Sequence, residues 1–283
     1  MAFERLSGTR YVVPLREGGS LPAVVETVQE NETTPGGAFV VKFQGAGQGA
    51  KALVAEAIVA GLAQALDLPV PRPAVITLTD GFGNAEPDPE IQDILHGSVG
   101  ENFGLAYLAG ALAFDPAADA DRVGPDLAAE IVWLDALTTN VDRTPRNTNM
   151  LLWHHRLWLI DHGAALYLHH RWEGWQDRIQ SSFPQIKDHV LLGLAGDLEA
   201  ADARLRPRLS DSALRRIVDD LPDEWLGGEA LFPTLADHRR AYVTYLSERL
   251  NGPRRWLQEA IEARGRGPER LAVRQTHRYD VDE

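Results

Sequence analysis

In the stretch NVDRTPRNTNMLLWHHRLWLIDHG at 140–163, three side chains have types and spacing that could act together: Asp142, Asn147 and Asp161. Asp142 falls in a loop just after a helical run, which suits a side chain facing a cleft. Asn147 follows by five residues, so one compact loop can turn both groups to a common point. The apolar runs MLLW and LWLI, joined by HHR, read as a small hairpin that carries the chain out and back. The hairpin delivers Asp161 at a strand end, and Gly163 permits a sharp departure. Oxygen ligands of this kind suit Mg²⁺, which keeps several waters and takes one or two protein carboxylates. Phosphoryl transfer from ATP needs such a set. One carboxylate sits beside the acceptor hydroxyl, an amide oxygen and a second carboxylate hold the metal, and a strand lysine meets the phosphates.

The elements that must position these groups change character along the chain. TRYVVPLREGGSLPAVVETV, at 9–28, holds two β-branched runs separated by a turn at Gly18, Gly19 and Ser20. GGAFVVKF, at 36–43, is a third strand. KALVAEAIVAGLAQALDL, at 51–68, has apolar residues at helical spacing and is closed by Pro69 and Pro71. PAVITLTD at 73–80 reads as a strand, GFGNAEPDPE as a loop, and EIQDILHG as a short helix. NFGLAYLAG, at 102–110, reads as a last strand running into a connector. PDLAAEIVWLDALTTN, at 125–140, is an amphipathic helix. Beyond 185 the pattern is almost wholly helical, in HVLLGLAGDLEAADARL, DSALRRIVDDL and DHRRAYVTYLSERLN. The end, RGRGPERLAVRQTHRYDVDE, reads as a polar tail.

With these residues in view, a resemblance emerges. Asp, four residues, Asn, then Asp-x-Gly is similar to the catalytic loop and metal motif of the protein-kinase-like superfamily. The wording DALTTNVDRTPRNTNMLL followed by LWLIDHGAAL resembles the HipA-like kinases and, more distantly, the phosphatidylinositol 3/4-kinase-like branch. The resemblance implies that Asp142 is the catalytic base and that Asn147 and Asp161 are the metal ligands. It also implies that Lys42 is the nucleotide-binding lysine on the third strand and that Glu56 is its partner in the following helix. Gly18, Gly19 and Ser20 stand where a phosphate-covering loop belongs, with backbone N–H groups free to approach a nucleotide. Adenine would lie against the connector at Tyr107–Gly110, with Tyr107 and Ala109 as contacts. The match is densest over 130–166 and extends to 36–70. It departs from ordinary protein kinases in having Asn140 two residues before Asp142, His162 after Asp161, and no Ala-Pro-Glu sequence.

Composition narrows the alternatives. The chain has no cysteine, which excludes disulfides, thiolate catalysis and cysteine-ligated metals. The opening MAFERLSGTR predicts no secretory leader, and no apolar run approaches the ~20 residues of a membrane span. The chain is therefore read as cytoplasmic. Its net charge of −13 repels phosphate backbones, so no nucleic-acid partner is expected. GAGQG at 45–49 follows a strand and precedes a helix, as a dinucleotide-binding turn does, with Asp80 ending the next strand. However, its third glycine comes one residue early, and no strand–helix alternation follows. Ala50 and Ala52 around Lys51 exclude a Walker loop. The paired histidines at 154–155 and 169–170 would face opposite ways on a strand and make a poor metal site. The tryptophans between 133 and 175 are read as packing. Of the arginines flanking the proposed base, Arg143 is read as solvating the loop and Arg146 as the one that contacts phosphate or an acidic substrate. Arg270, Arg274 and Arg278 would form a basic stripe if the tail were helical.

These observations predict an α+β, bilobed protein-kinase-like fold with a β-rich N-lobe and a mainly helical C-lobe. The N-lobe would span 1–110, the C-lobe 111–263, and the polar tail 264–283. The expected cofactors are ATP and Mg²⁺, and the expected reaction is γ-phosphoryl transfer to a hydroxyl. From the family resemblance, a protein serine or threonine is the first acceptor, and an antitoxin-like or regulatory protein is a compatible partner. The alternatives are a small-molecule or lipid kinase, or a catalytically inactive nucleotide-binding module.

Overall fold

The computed structural model describes residues 3–15, 21–30, 33–47 and 49–266. Five strands close into a barrel: β1 (Glu4–Pro14), β2 (Ala23–Gln29), β3 (Pro35–Lys42), β4 (Pro73–Leu78) and β5 (Gly100–Ala106), in the order β1-β2-β3-β5-β4. Only the β1–β4 pair is parallel. Alternation along the strands turns Leu6, Val25, Phe39, Val41, Ala74 and Ile76 into the barrel, each with no exposed surface. Val75 and Phe103 lie on the outer face and join a second, larger core.

That larger core is built on helices. The first helices in the chain are α1 (Gly49–Ala65), α2 (Pro89–His96) and α3 (Pro125–Thr138). Further along come α4 (Trp175–Arg178), α5 (Leu198–Leu205), α6 (Asp211–Asp219), α7 (Asp223–Leu226), α8 (Leu235–Asn251) and α9 (Arg255–Arg266). In α1, every residue from Ala52 to Ala63 is buried. A helix that is apolar on all sides must be enclosed on all sides. The barrel's outer face covers one side of α1, and α6 and α7 cover another. The helix that follows β3 in sequence is thus also part of the helical core.

A second sheet, in the order β6-β7-β8, consists of β6 (Leu112–Ala113), β7 (Met150–Trp153) and β8 (Arg156–Leu159). Trp153 pairs with Arg156, so His154 and His155 form a two-residue turn, both left-handed at φ 49° and 60°. This is the hairpin geometry that matches strand twist. The second histidine pair lies in a 3₁₀ turn, Tyr167–His170. Neither pair sits on a strand. Trp133, Trp172 and Trp175 are buried in the larger core.

The expected helix beginning at 189 starts later. Asp197 caps α5 by accepting from the backbone N–H groups of Glu199 and Ala200, and Gly196 N–H donates to Pro125 O at 2.8 Å. These bonds place the boundary inside HVLLGLAGD, where apolar periodicity alone runs on. The chain is also helical over Arg255–Arg266, into the expected tail. The tail arginines Arg270, Arg274 and Arg278 lie outside the described residues. Among the described residues, no helix is long and apolar enough to cross a membrane.

Candidate active site

Inward-facing Phe39 and Val41 put Lys42, the last residue of β3, on the opposite face of the strand, against α1. There its ammonium meets two carboxylates. Lys42 Nζ donates to Glu56 Oε1 and to Asp161 Oδ1. Glu56 is fully buried in α1, and Asp161 follows β8 in a left-handed conformation at φ 54°. Such a conformation is uncommon outside glycine, although aspartate tolerates it better than most residues. Burial opposes the Lys42 charge, but the two carboxylates outweigh it and hold the ammonium well above its usual range. Burial pushes Glu56 up against the pull of Lys42. Burial also resists ionisation of Asp161, yet Lys42 prevails there and lowers it. The Asp161 side chain is 42% exposed, so one side of this charged group opens to solvent.

The second group forms in the loop after α3. Thr139, at φ 54°, ends that helix, and Asn140 Oδ1 accepts from Asp142 N–H at 3.1 Å. A bridge between Thr144 and Asn147 pinches the loop around Pro145 and Arg146. Asn147 Nδ2 then donates to Asp142 Oδ2 at 2.7 Å. Asn149 Nδ2 donates to the same oxygen at 3.2 Å. Sequence reading did not single out Asn149. The only signal available was the second amide in RNTN, left-handed here at φ 49°.

Arg143 joins the two groups. It was expected to solvate the loop, but it is 1% exposed, because a buried carboxylate waits for it in α3. Arg143 Nε donates to Asp135 Oδ2 at 2.5 Å, and Nη1 reaches the Asn149 carbonyl. Nη2 approaches His162 Nδ1 at 3.2 Å, next to Asp161. Asp135 also accepts from Asn140 Nδ2 at 3.0 Å, and His189 Nε2 lies 2.8 Å from its Oδ2. Burial opposes its charge, but Arg143 and His189 hold Asp135 far below the usual carboxylate range. Arg146, by contrast, is exposed at the loop tip.

Because arginine can only donate, His162 Nδ1 must accept, and the ring is neutral. Burial, reinforced by the Arg143 charge, pushes His162 down from 6.5 to about 3. The unfolded chain takes up this proton near 6.5, so the full stability is present above that pH and declines as pH falls towards 3. Between pH 7 and 5 the loss from this one group is about 2 kcal/mol. His162→Phe should abolish that part of the pH dependence. Urea unfolding of both proteins at pH 7 and pH 5 should show the difference between them shifting by that amount. A difference independent of pH would mean that His162 is not held neutral.

The structure thus joins Lys42, Glu56 and Asp161 by ion pairs, joins Asp142 and Asn147 by a hydrogen bond, and ties the two sets through Arg143. Tyr107 and Ala109 stand on a third segment. Tyr107 N–H donates to Ala38 O of β3 at 2.9 Å, and Ala109 O accepts from Trp153 Nε1 at 3.0 Å. Gly18, Gly19 and Ser20 lie outside the described residues. Among the described residues, no group of three or more histidines and acids could hold a metal by itself. The donors present fit Mg²⁺ held chiefly by phosphates and water. Asp161 is partly exposed, and Asn147 turns its amide nitrogen to Asp142, leaving its carbonyl oxygen for a cation.

A family model described as HipA-like kinase matches residues 32–258. A solved structure of a Helicobacter pylori proinflammatory kinase, CtkA, shares the fold with a TM-score of 0.54. It is 14% identical, and the alignment covers 89% of this chain and 97% of that one. No curated protein matched the sequence.

Proposed function

The chain belongs to the HipA-like kinase family, and on that premise we propose that it is an ATP- and Mg²⁺-dependent kinase that phosphorylates a hydroxyl, first that of a protein serine or threonine. One observation carries the reading. Lys42 of the barrel is paired at once with Glu56 of α1 and with Asp161, 119 residues further along. This is the arrangement a kinase needs to hold a lysine against the α/β-phosphates while presenting a carboxylate to the metal.

In this reading the nucleotide lies between a barrel lobe and a helical lobe. Tyr107 and Ala109 flank the adenine. Asn147 and Asp161 hold Mg²⁺, which when bound neutralises charge on the phosphate oxygens. Lys42 orients the phosphates, and Glu56 keeps the ammonium in place. Asp142 receives the acceptor's proton. The net charge of −13 disfavours an anionic lipid surface as the acceptor, since such surfaces attract basic segments.

Incubation with γ-labelled ATP should transfer label to a protein acceptor with Mg²⁺ and not with excess chelator. Asp161→Ala should remove metal-dependent nucleotide binding, read by calorimetry with and without Mg²⁺. Nucleotide binding without transfer to protein, small alcohols or lipid head groups would identify an inactive module. Unchanged metal-dependent binding in Asp161→Ala would remove the carboxylate from the metal site.

A further inference from the structure

The geometry around Asp142 points to Asn149 as a positioning residue for phosphoryl transfer, one that decides which carboxylate oxygen receives the acceptor's proton. This inference rests on the kinase reading of Asp142. Both Asn147 and Asn149 aim amide N–H groups at Oδ2, at 2.7 and 3.2 Å. Among the described residues, Oδ1 accepts no hydrogen bond, so the two oxygens of Asp142 are not equivalent. Two donors on one oxygen fix the rotation of the carboxylate about its Cβ–Cγ bond. They leave Oδ1 with its lone pairs free for an incoming hydroxyl.

The two amides differ in how firmly they can keep this hold. Asn147 is exposed, and in this reading its carbonyl oxygen also serves the metal. Asn149 is 8% exposed, and its main chain is anchored at the carbonyl by two donors. Its carbonyl accepts from Arg143 Nη1 and from Ile160 N–H, the latter at 3.1 Å. The left-handed φ of 49° directs the side chain back towards Asp142, and asparagine is among the few residues that adopt it readily. Asn149 is therefore the hold that metal binding does not disturb.

In the transfer itself, the acceptor O–H bond breaks and its proton passes to Asp142 Oδ1. The freed electron pair on the acceptor oxygen forms the new bond to the γ-phosphorus, and the bond from that phosphorus to the ADP oxygen breaks with its electrons. If Oδ2 were released, the carboxylate could turn and present either oxygen at a poorer angle. The loss would fall on the chemical step and not on nucleotide binding.

Two substitutions test this in the full-length chain. Asn149→Asp keeps the shape and the left-handed backbone but removes the donor. Asn149→Gly keeps the backbone and removes the side chain. In both, kcat for label transfer should fall about ten- to hundredfold. The KM for ATP and the half-saturating Mg²⁺ concentration should stay within about twofold. Asn147→Ala, by contrast, should raise the Mg²⁺ requirement. Unchanged kcat in folded variants of an active wild type would overturn the role of Asn149 alone. So would an equal rise in KM for ATP and in the Mg²⁺ requirement. A wild type that transfers no label to any hydroxyl would overturn the kinase reading and this role with it.

Discussion

Arg143→Ala is expected to cost about 3–5 kcal/mol of folding stability, more than any other single change to a loop residue here. The guanidinium and Asp135 are both fully buried and paired at 2.5 Å. Deleting the arginine leaves an uncompensated carboxylate in the core, with only Asn140 and His189 against it. It also takes the side-chain donor from His162 Nδ1 and one of two donors from the Asn149 carbonyl, which keeps Ile160 N–H. Each orphaned buried acceptor adds about 1–3 kcal/mol, although these costs overlap with the ion-pair loss and do not sum. Arg143→Lys should recover little, because one ammonium cannot span Asp135, Asn149 and His162 at once. The double variant Arg143→Met with Asp135→Leu should be more stable than Arg143→Ala, since it removes both charges together. Urea unfolding at pH 7 reads all three. A loss of less than ~1 kcal/mol in Arg143→Ala would show that the buried network contributes little to the fold.

Asp142→Asn should lower kcat by about 10²–10⁴ while leaving nucleotide affinity near that of the wild type. The substitution keeps the size of the side chain and removes its capacity to take a proton. In the folded protein Asp142 touches Asn140, Asn147 and Asn149, and Lys42 meets Glu56 and Asp161 instead. Loss of the base should therefore appear in turnover and not in phosphate binding. The effect corresponds to about 3–5 kcal/mol of transition-state stabilisation. Lys42→Ala is the complement. It leaves Glu56 buried without a counter-charge and should weaken ATP binding or turnover as well as stability. Single-turnover label transfer, together with a separate binding measurement, distinguishes the two. If Asp142→Asn turned over within tenfold of wild type, proton transfer to Asp142 would not be part of the reaction.

Local periodicity was enough to read the strand-rich beginning, the long helices and the 150–160 hairpin, because alternation and helical spacing are properties of neighbours in sequence. The D-x₄-N and D-x-G spacings were legible for the same reason: they lie within one loop and one hairpin. Lys42 and Glu56 were marked only through family likeness, since a lysine on a strand and a glutamate on a helix carry no local sign that they will meet. The helix expected from 189 shows the limit of periodicity. Its first apolar residues fit either a helix or an irregular packed segment, and the backbone bond from Gly196 to Pro125 with the Asp197 cap made 189–196 the latter and started the helix at Leu198.

By itself the sequence determined an α+β chain of the HipA-like kinase family, with an acid–amide loop and an Asp-x-Gly turn at the right spacing. Only the tertiary structure decided that Arg143 is an internal strut and not a solvated loop residue, that Asp135 and His162 complete its surroundings, and that Asn149 shares Asp142 with Asn147. The physical reason is desolvation. A charged side chain carries the same letter in water and in a core, and its role depends on whether a partner distant in sequence arrives to compensate the loss of water. Asp135 and Arg143 are eight residues apart, and His189 comes from 54 residues beyond Asp135. No spacing rule within a loop could bring these three together, whereas the packing of α3 against the segments around it does.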